Sequence, residues 1–149
     1  MSLTPELPIW VAEYVGIPWL KHGRTRAGCD CYGLIYLVYQ EVFDIALPSY
    51  AGVVDPDEQA EVAAILSQEI PLSGWEPVPI HDPRELGDAV VMRIMGEPWH
   101  VGLVVSRTQF LHAQIDNASV VDRLDSFRWL NRVAGLYRHV RRPGGRRYG

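Results

Sequence analysis

"GCDCYGLIYLVYQEVF", residues 28–43, decides how the rest of the chain is read. Cys31, Leu34, Ile35, Val38 and Val42 fall at i, i+3, i+4, i+7 and i+11, one apolar stripe at the helical period. Tyr32, Tyr36 and Tyr39 form an adjoining aromatic stripe. Asp30 stands where an N-cap belongs, so the spacing predicts a helix from about Asp30 to Phe43 with Cys31 at its head. Backbone N–H groups are unpaired at a helix head and the macrodipole adds partial positive charge there. That environment lowers a thiol pKa and favours the reactive thiolate. Cys29 lies in the segment before the helix. Positions i and i+2 do not share a helical face, and a disulfide between them would close a strained ring. The helix alone also suits Cys31 as a small buried hydrophobe.

Working outward, "TPELPIWVAEYVG" (4–16) carries apolar residues at helical spacing and predicts a short helix ending at Gly16. Residues 17–28 read as a basic, glycine-containing loop. "DIALPSYAGVVDP" (44–56) ends the long helix, "DPDEQAEVAAILSQEI" (55–70) predicts a third, and residues 71–86 read as a proline-rich connection. The period then changes to alternation. Residues 88–94, 100–106, 109–113, 119–124 and 134–140 predict strands, with a helical turn at "DSFRWLN" (125–131). Short spacings imply antiparallel neighbours. Helices first and strands second is the α+β pattern, with helices packed on one face of an antiparallel sheet.

The bulk numbers fit one soluble domain over residues 1–149. The chain has 149 residues, 48% of them apolar and 21% charged. A net charge of −4 argues against a general nucleic-acid binder, although basic residues gather in the tail 141–149, expected to be a solvated, flexible end. No stretch approaches the roughly 18 apolar residues of a membrane span. The first sixteen residues lack a basic leader and carry prolines and acids, unlike a secretory signal; cytoplasmic synthesis is the expectation. In that compartment two lone cysteines are buried, catalytic or metal-bound more often than bridged.

Two histidines narrow the choice. In "HVGLVV" (100–105), His100, Gly102 and Val104 share a strand face, and Gly102 leaves room there for the helix head to approach. His112 follows twelve residues later. A plain two-residue turn at Arg107-Thr108 would set His112 opposite Leu103, on the wrong face. A loop of odd length or a bulge sets it on the face of His100, and the odd loop is the expectation. The outcome is a nucleophile–base–orienter line: Cys31, His100, His112. His22, His81 and His139 are scattered and read as structural.

Taken in order, "GCDCYGL" (28–34), "GDAVVM" (87–92), "HVGLVV" and "FLHA" (110–113) resemble the NlpC/P60 family of papain-like cysteine peptidases. That family reads D-C-S-G-L, then G-D and two hydrophobic residues, then H-V-G-I, then a polar residue in a hydrophobic-H-A setting. The likeness spans about residues 14–140. It implies a papain-like fold with Cys31 as nucleophile, His100 as base and His112 as third member, without metal or cofactor. It implies a peptidoglycan peptide as substrate, cut at the amide joining the γ-carboxyl of D-glutamate to the diamino acid. Asp30 matches the family aspartate and would help place the amino end of the stem peptide. Tyr32 replaces the family serine, and Trp19, in "GIPW" (16–19), replaces the tyrosine of G-x-P-Y that helps line the oxyanion side. Asp30, Trp19 and Tyr32 are therefore the candidate substrate-binding residues.

The phage and prophage branch, short and often with a large residue after the cysteine, is the more similar one. It implies tail proteins as partners and a virion-borne enzyme acting on the cell wall. Three readings compete. One is a tail-assembly module that keeps the fold without the chemistry. Another is a zinc site of Cys29, Cys31, His100 and His112, disfavoured because structural sites space their cysteines by two to four residues. The third is an amidase or acyltransferase of papain-like order.

Overall fold

The computed structural model describes residues 7–49, 74–94 and 97–141. The helix expected at 55–70 and the tail at 142–149 lie outside the described residues. Ile9–Tyr14 forms a 3-10 helix in place of the α-helix expected there. Pro8 precedes it and Gly16 follows at φ +90°, a left-handed turn open to glycine, so only seven residues remain between the breakers. Val11 and Tyr14, three apart, are its buried residues, as the three-residue period requires. Ser119, itself buried, accepts the Ile17 N–H at 2.9 Å through Oγ and anchors this segment.

The expected loop holds a small hairpin, β1 (Arg24–Thr25) and β2 (Gly28–Cys29). Trp19 makes a parallel bridge to Cys29, with the Cys29 N–H donating to the Pro18 carbonyl at 3.0 Å. The long helix, α1, is Cys31–Glu41. Asp30 caps it in extended conformation, its Oδ1 accepting the Gly33 N–H at 2.7 Å, a contact of a kind worth about 1 kcal/mol. Eight of the eleven residues are buried, so α1 is enclosed on most sides and ends where Gln40 and Glu41 meet solvent.

Six antiparallel strands make the main sheet, in the order β3-β8-β4-β5-β6-β7. They are β3 (Trp75–Val78), β4 (Ala89–Ile94), β5 (Glu97–Ser106), β6 (Gln109–His112), β7 (Val120–Arg123) and β8 (Val133–His139). Five match the alternating segments. The sixth, β3, lies inside the proline-rich connection; Pro77 is tolerated because β3 is an edge strand paired on one side only. Residues 125–131 form turns, with the Leu130 N–H donating to the Ser126 carbonyl at 2.8 Å.

The sheet buries both faces. On one, Ala89, Val91, Val101, Leu103, Val105 and Leu111 pack with Leu34, Ile35 and Val38 of α1. On the other, Val90, Met92, Val104, Phe110 and Leu136 pack under Trp129. A fully buried side chain of this size is worth about 1.5–3 kcal/mol. Tyr39 donates its hydroxyl to the Gly87 carbonyl and packs on Trp75, tying the far end of α1 to the sheet edge. Buried Asp88 accepts from Arg138 Nε and Nη2, both at 2.8 Å, which locks the start of β4 to β8.

Candidate active site

Cys31 is the first residue of α1 and is fully buried. Asp30 organises the backbone around it. Its carboxylate accepts from Gly33 N–H, from the His22 N–H at 3.0 Å and from Arg24 Nη1 at 2.8 Å. His22 meets it with a left-handed backbone, φ 61°. Asp30 is 0% exposed, so its carboxylate is committed to the protein's own donors. In this geometry it holds the helix head.

Neither Cys29 nor Cys31 forms a disulfide among the described residues. The Cys29 thiol donates to the Thr25 carbonyl at 3.1 Å. Burial, followed by the Asp30 charge, pushes its pKa up to about 12, which keeps it protonated and unreactive at neutral pH. Among the described residues, no three His, Cys, Asp or Glu side chains form a group that could hold a metal ion.

The histidines meet as a pair. His100 Nε2 lies 2.7 Å from His112 Nδ1. The hairpin that joins them has the two-residue turn at Arg107-Thr108, with Ser106 opposite Gln109, and not the odd loop expected. A bulge between Val104 and Ser106 supplies the missing residue: Val104 then faces Phe110 and Leu103 faces Leu111, which sets His112 beside Gly102. The space at Gly102 is not used by the helix head. A Cβ there would lie 2.6 Å from the Phe110 ring and 3.1 Å from His112 Cβ, so glycine makes room for the second histidine and its neighbour. α1 packs on the opposite face of the sheet.

A third polar group, not singled out in the sequence, completes the line. His112 Nε2 lies 2.7 Å from Asp122 Oδ2, on β7. Asp122 faces Phe110 in the β6–β7 register, diagonal to His112. An aspartate in an alternating strand reads as a solvent-facing residue, and only the register shows that it shares the histidine face. Trp129 Nε1 donates to the same oxygen at 3.3 Å. The Trp129 ring also stacks on His100 at 6.0 Å and stands edge-on to His112, while Phe110 stacks on His112 at 4.2 Å.

This apolar wrapping sets the electrostatics. Burial, then His112 and Arg128, push the His100 pKa down to about 3. Burial also lowers that of His112, against the opposing pull of Asp122. Both rings are therefore neutral at physiological pH, the form in which an imidazole accepts a proton.

Trp19 is half-buried, and its indole N–H has no hydrogen-bond partner among the described residues. Tyr32 is 6% exposed; its hydroxyl donates to the Pro48 carbonyl at 2.7 Å and its ring lies under the Arg24 guanidinium. Tyr32 thus ties α1 to the segment that follows it. His139 is buried against Tyr39 and Trp75 and accepts the Arg141 N–H, a structural placement.

The profile of the NlpC/P60 family matches residues 16–138. The chain is 24% identical over 121 residues to the murein DD-endopeptidase MepS/murein LD-carboxypeptidase of Escherichia coli strain K12, covering 81% of this chain and 55% of that protein. It is 26% identical over 116 residues to the probable endopeptidase NlpC of the same organism, covering 76% and 64%. The chain thus spans between half and two thirds of the length of these curated relatives. Among solved structures, an NlpC/P60 family protein from Bacillus cereus aligns with a TM-score of 0.62 at 17% identity, over 91% of this chain and 41% of that one. The NlpC/p60 domain of the peptidoglycan hydrolase SagA aligns at 0.58 and 18% identity, over 85% and 91%. With the six-stranded sheet, the capped helix and a profile match over most of its length, the chain belongs to the NlpC/P60 family.

Proposed function

We propose that this protein is a cysteine peptidase that hydrolyses amide bonds in peptidoglycan stem peptides, with Cys31 as nucleophile and His100 as base. The observation that carries the reading is the line His100–His112–Asp122, each link 2.7 Å long. It engages His100 through Nε2 and so leaves Nδ1 to take a proton. The pairing of Cys31 with His100 is part of the proposal. It is supported by the family match over residues 16–138, which takes in both residues, and by the burial of both.

In this scheme His100 Nδ1 takes the thiol proton as Cys31 Sγ attacks the amide carbonyl carbon. The oxyanion is held by the Cys31 N–H at the helix head and by the Trp19 indole N–H, which has no hydrogen-bond partner among the described residues. His100 then returns the proton to the departing amine, the C–N bond breaks and a thioester remains. Water, deprotonated by His100, cleaves the thioester and frees the Cys31 thiol. The proposed bond is the γ-D-glutamyl–diamino acid amide, and the proposed setting is a phage or prophage tail bearing on the cell wall. The large Tyr32 after the cysteine supports the tail setting.

Digestion of defined muropeptides by wild type and by Cys31→Ala, read by mass spectrometry, tests the reading. Wild type is expected to release products cut at the γ-D-glutamyl bond and the variant none. Equal product from both would overturn the assignment of Cys31. Cleavage confined to D,D crosslinks would overturn the choice of bond.

A further inference from the structure

We propose that Asp122 is a positioning residue for this reaction, fixing the tautomers of both histidines so that His100 presents a lone pair at Nδ1. The inference deepens the reading above and rests on it for its link to catalysis.

The argument is one of donors and acceptors. A neutral imidazole has one N–H and one lone pair. Along the line His100 Nε2···His112 Nδ1 and His112 Nε2···Asp122 Oδ2, the protons can run in one of two directions. A carboxylate offers only lone pairs, and Asp122 Oδ2 also receives the Trp129 indole N–H, a group that can only donate. His112 must therefore carry its proton on Nε2 and accept on Nδ1. His100 must then donate from Nε2, and its Nδ1 is bare. In the opposite direction His112 would donate from Nδ1, His100 would accept at Nε2, and its proton would sit on Nδ1, where no thiol could deliver another.

The fold holds this arrangement. Asp122 is set by the β6–β7 register, Trp129 covers both rings, and Gly102 lets His112 lie close beside β5. The Asp122 side chain is 35% exposed while His112 is fully buried, so the charge stays solvated at the rim and only neutral rings are carried inward.

The test combines a tautomer readout with kinetics. In nitrogen-15 spectra of the Cys31→Ala protein, His112 and His100 are both expected to be protonated at Nε2. Protonation of either ring at Nδ1 would overturn the proposal, whether or not the protein proves to be a peptidase. For wild-type Cys31, Asp122→Ala is expected to lower kcat about 10- to 100-fold with little change in KM. It should also give mixed tautomers, and Asp122→Glu should restore much of the rate. An Asp122→Ala protein with wild-type kcat and unchanged tautomers would overturn it. If Asp122→Ala does not fold, the tautomers of the Cys31→Ala protein still decide. Absence of muropeptide cleavage by wild type, with the Nε2 tautomers present, would remove the peptidase reading and leave the tautomer assignment standing.

Discussion

Two carboxylates anchor the two halves of the site, and they are built on opposite plans. Asp30 is fully buried and surrounded by three donors, one of them the Arg24 guanidinium, itself only 8% exposed. Asp122 keeps a third of its side chain in solvent and receives one imidazole and one indole N–H, both from neutral rings. The first is a charge neutralised in place, which orders backbone at the helix head. The second is a charge held at the rim, which orders protons in side chains further in. Burial therefore separates two jobs that the sequence presents with the same residue type. Asp30 accepts from two backbone N–H groups and a guanidinium near the helix head, whereas Asp122 accepts from an imidazole and an indole at the edge of an apolar pocket.

The comparison can be broken from either side. The largest expected effect is at the inner end of the proton line: His100→Ala should lower kcat/KM by about 10²–10⁴, the usual worth of a general base, in the muropeptide assay. Asp30→Ala should act instead on stability. It leaves the Arg24 guanidinium buried without its partner and should cost about 3–5 kcal/mol in urea unfolding. Asp122→Ala should cost no more than about 1–2 kcal/mol by the same measurement, although its kinetic effect is large.

Stability should also depend on pH through His100. Its folded pKa, about 3, lies below the unfolded value near 6.5, so between these two the unfolded chain binds the extra proton. The stability it contributes is present above about pH 6.5 and is lost as pH falls toward 3. The expected loss is about 1.4 kcal/mol per pH unit below 6.5, and it should be shallower in a His100→Gln protein. The smallest effect is expected from Tyr32→Phe, which removes the hydrogen bond to the Pro48 carbonyl. It should cost about 1 kcal/mol in the same unfolding measurement.

Much of the site was legible because its parts are periodic. Cys31 at the head of α1, and His100 on one face of β5, follow from spacings within single elements. That the histidines meet depended on the hairpin, and the reasoning that rejected a plain two-residue register was sound. The turn itself nevertheless has two residues, and the bulge near Val105 carries the correction. A bulge leaves no mark in "LVVSRTQF", because the extra residue is an ordinary strand former that joins the opposite core. Gly102 was read as a place for α1, but α1 covers the other face and the glycine serves His112 and Phe110. Pro77 hid β3, since a proline argues against a strand unless that strand is known to be an edge. Asp30 caps α1 as expected, and its carboxylate also meets Arg24, a partner six residues away around a hairpin that read as a loop.

By itself, the sequence determined the elements whose signal repeats along the chain: the capped helix with Cys31 at its head, and the alternating strands. These follow from local periodicity, which each segment carries without its neighbours. Only the tertiary structure decided which carboxylate serves the histidines. It also decided the bulged register that brings His112 to His100, and the face on which α1 lies. Those outcomes depend on hydrogen bonds between strands and on burial by distant side chains. A shift of one residue, invisible in composition or period, would reverse every one of them.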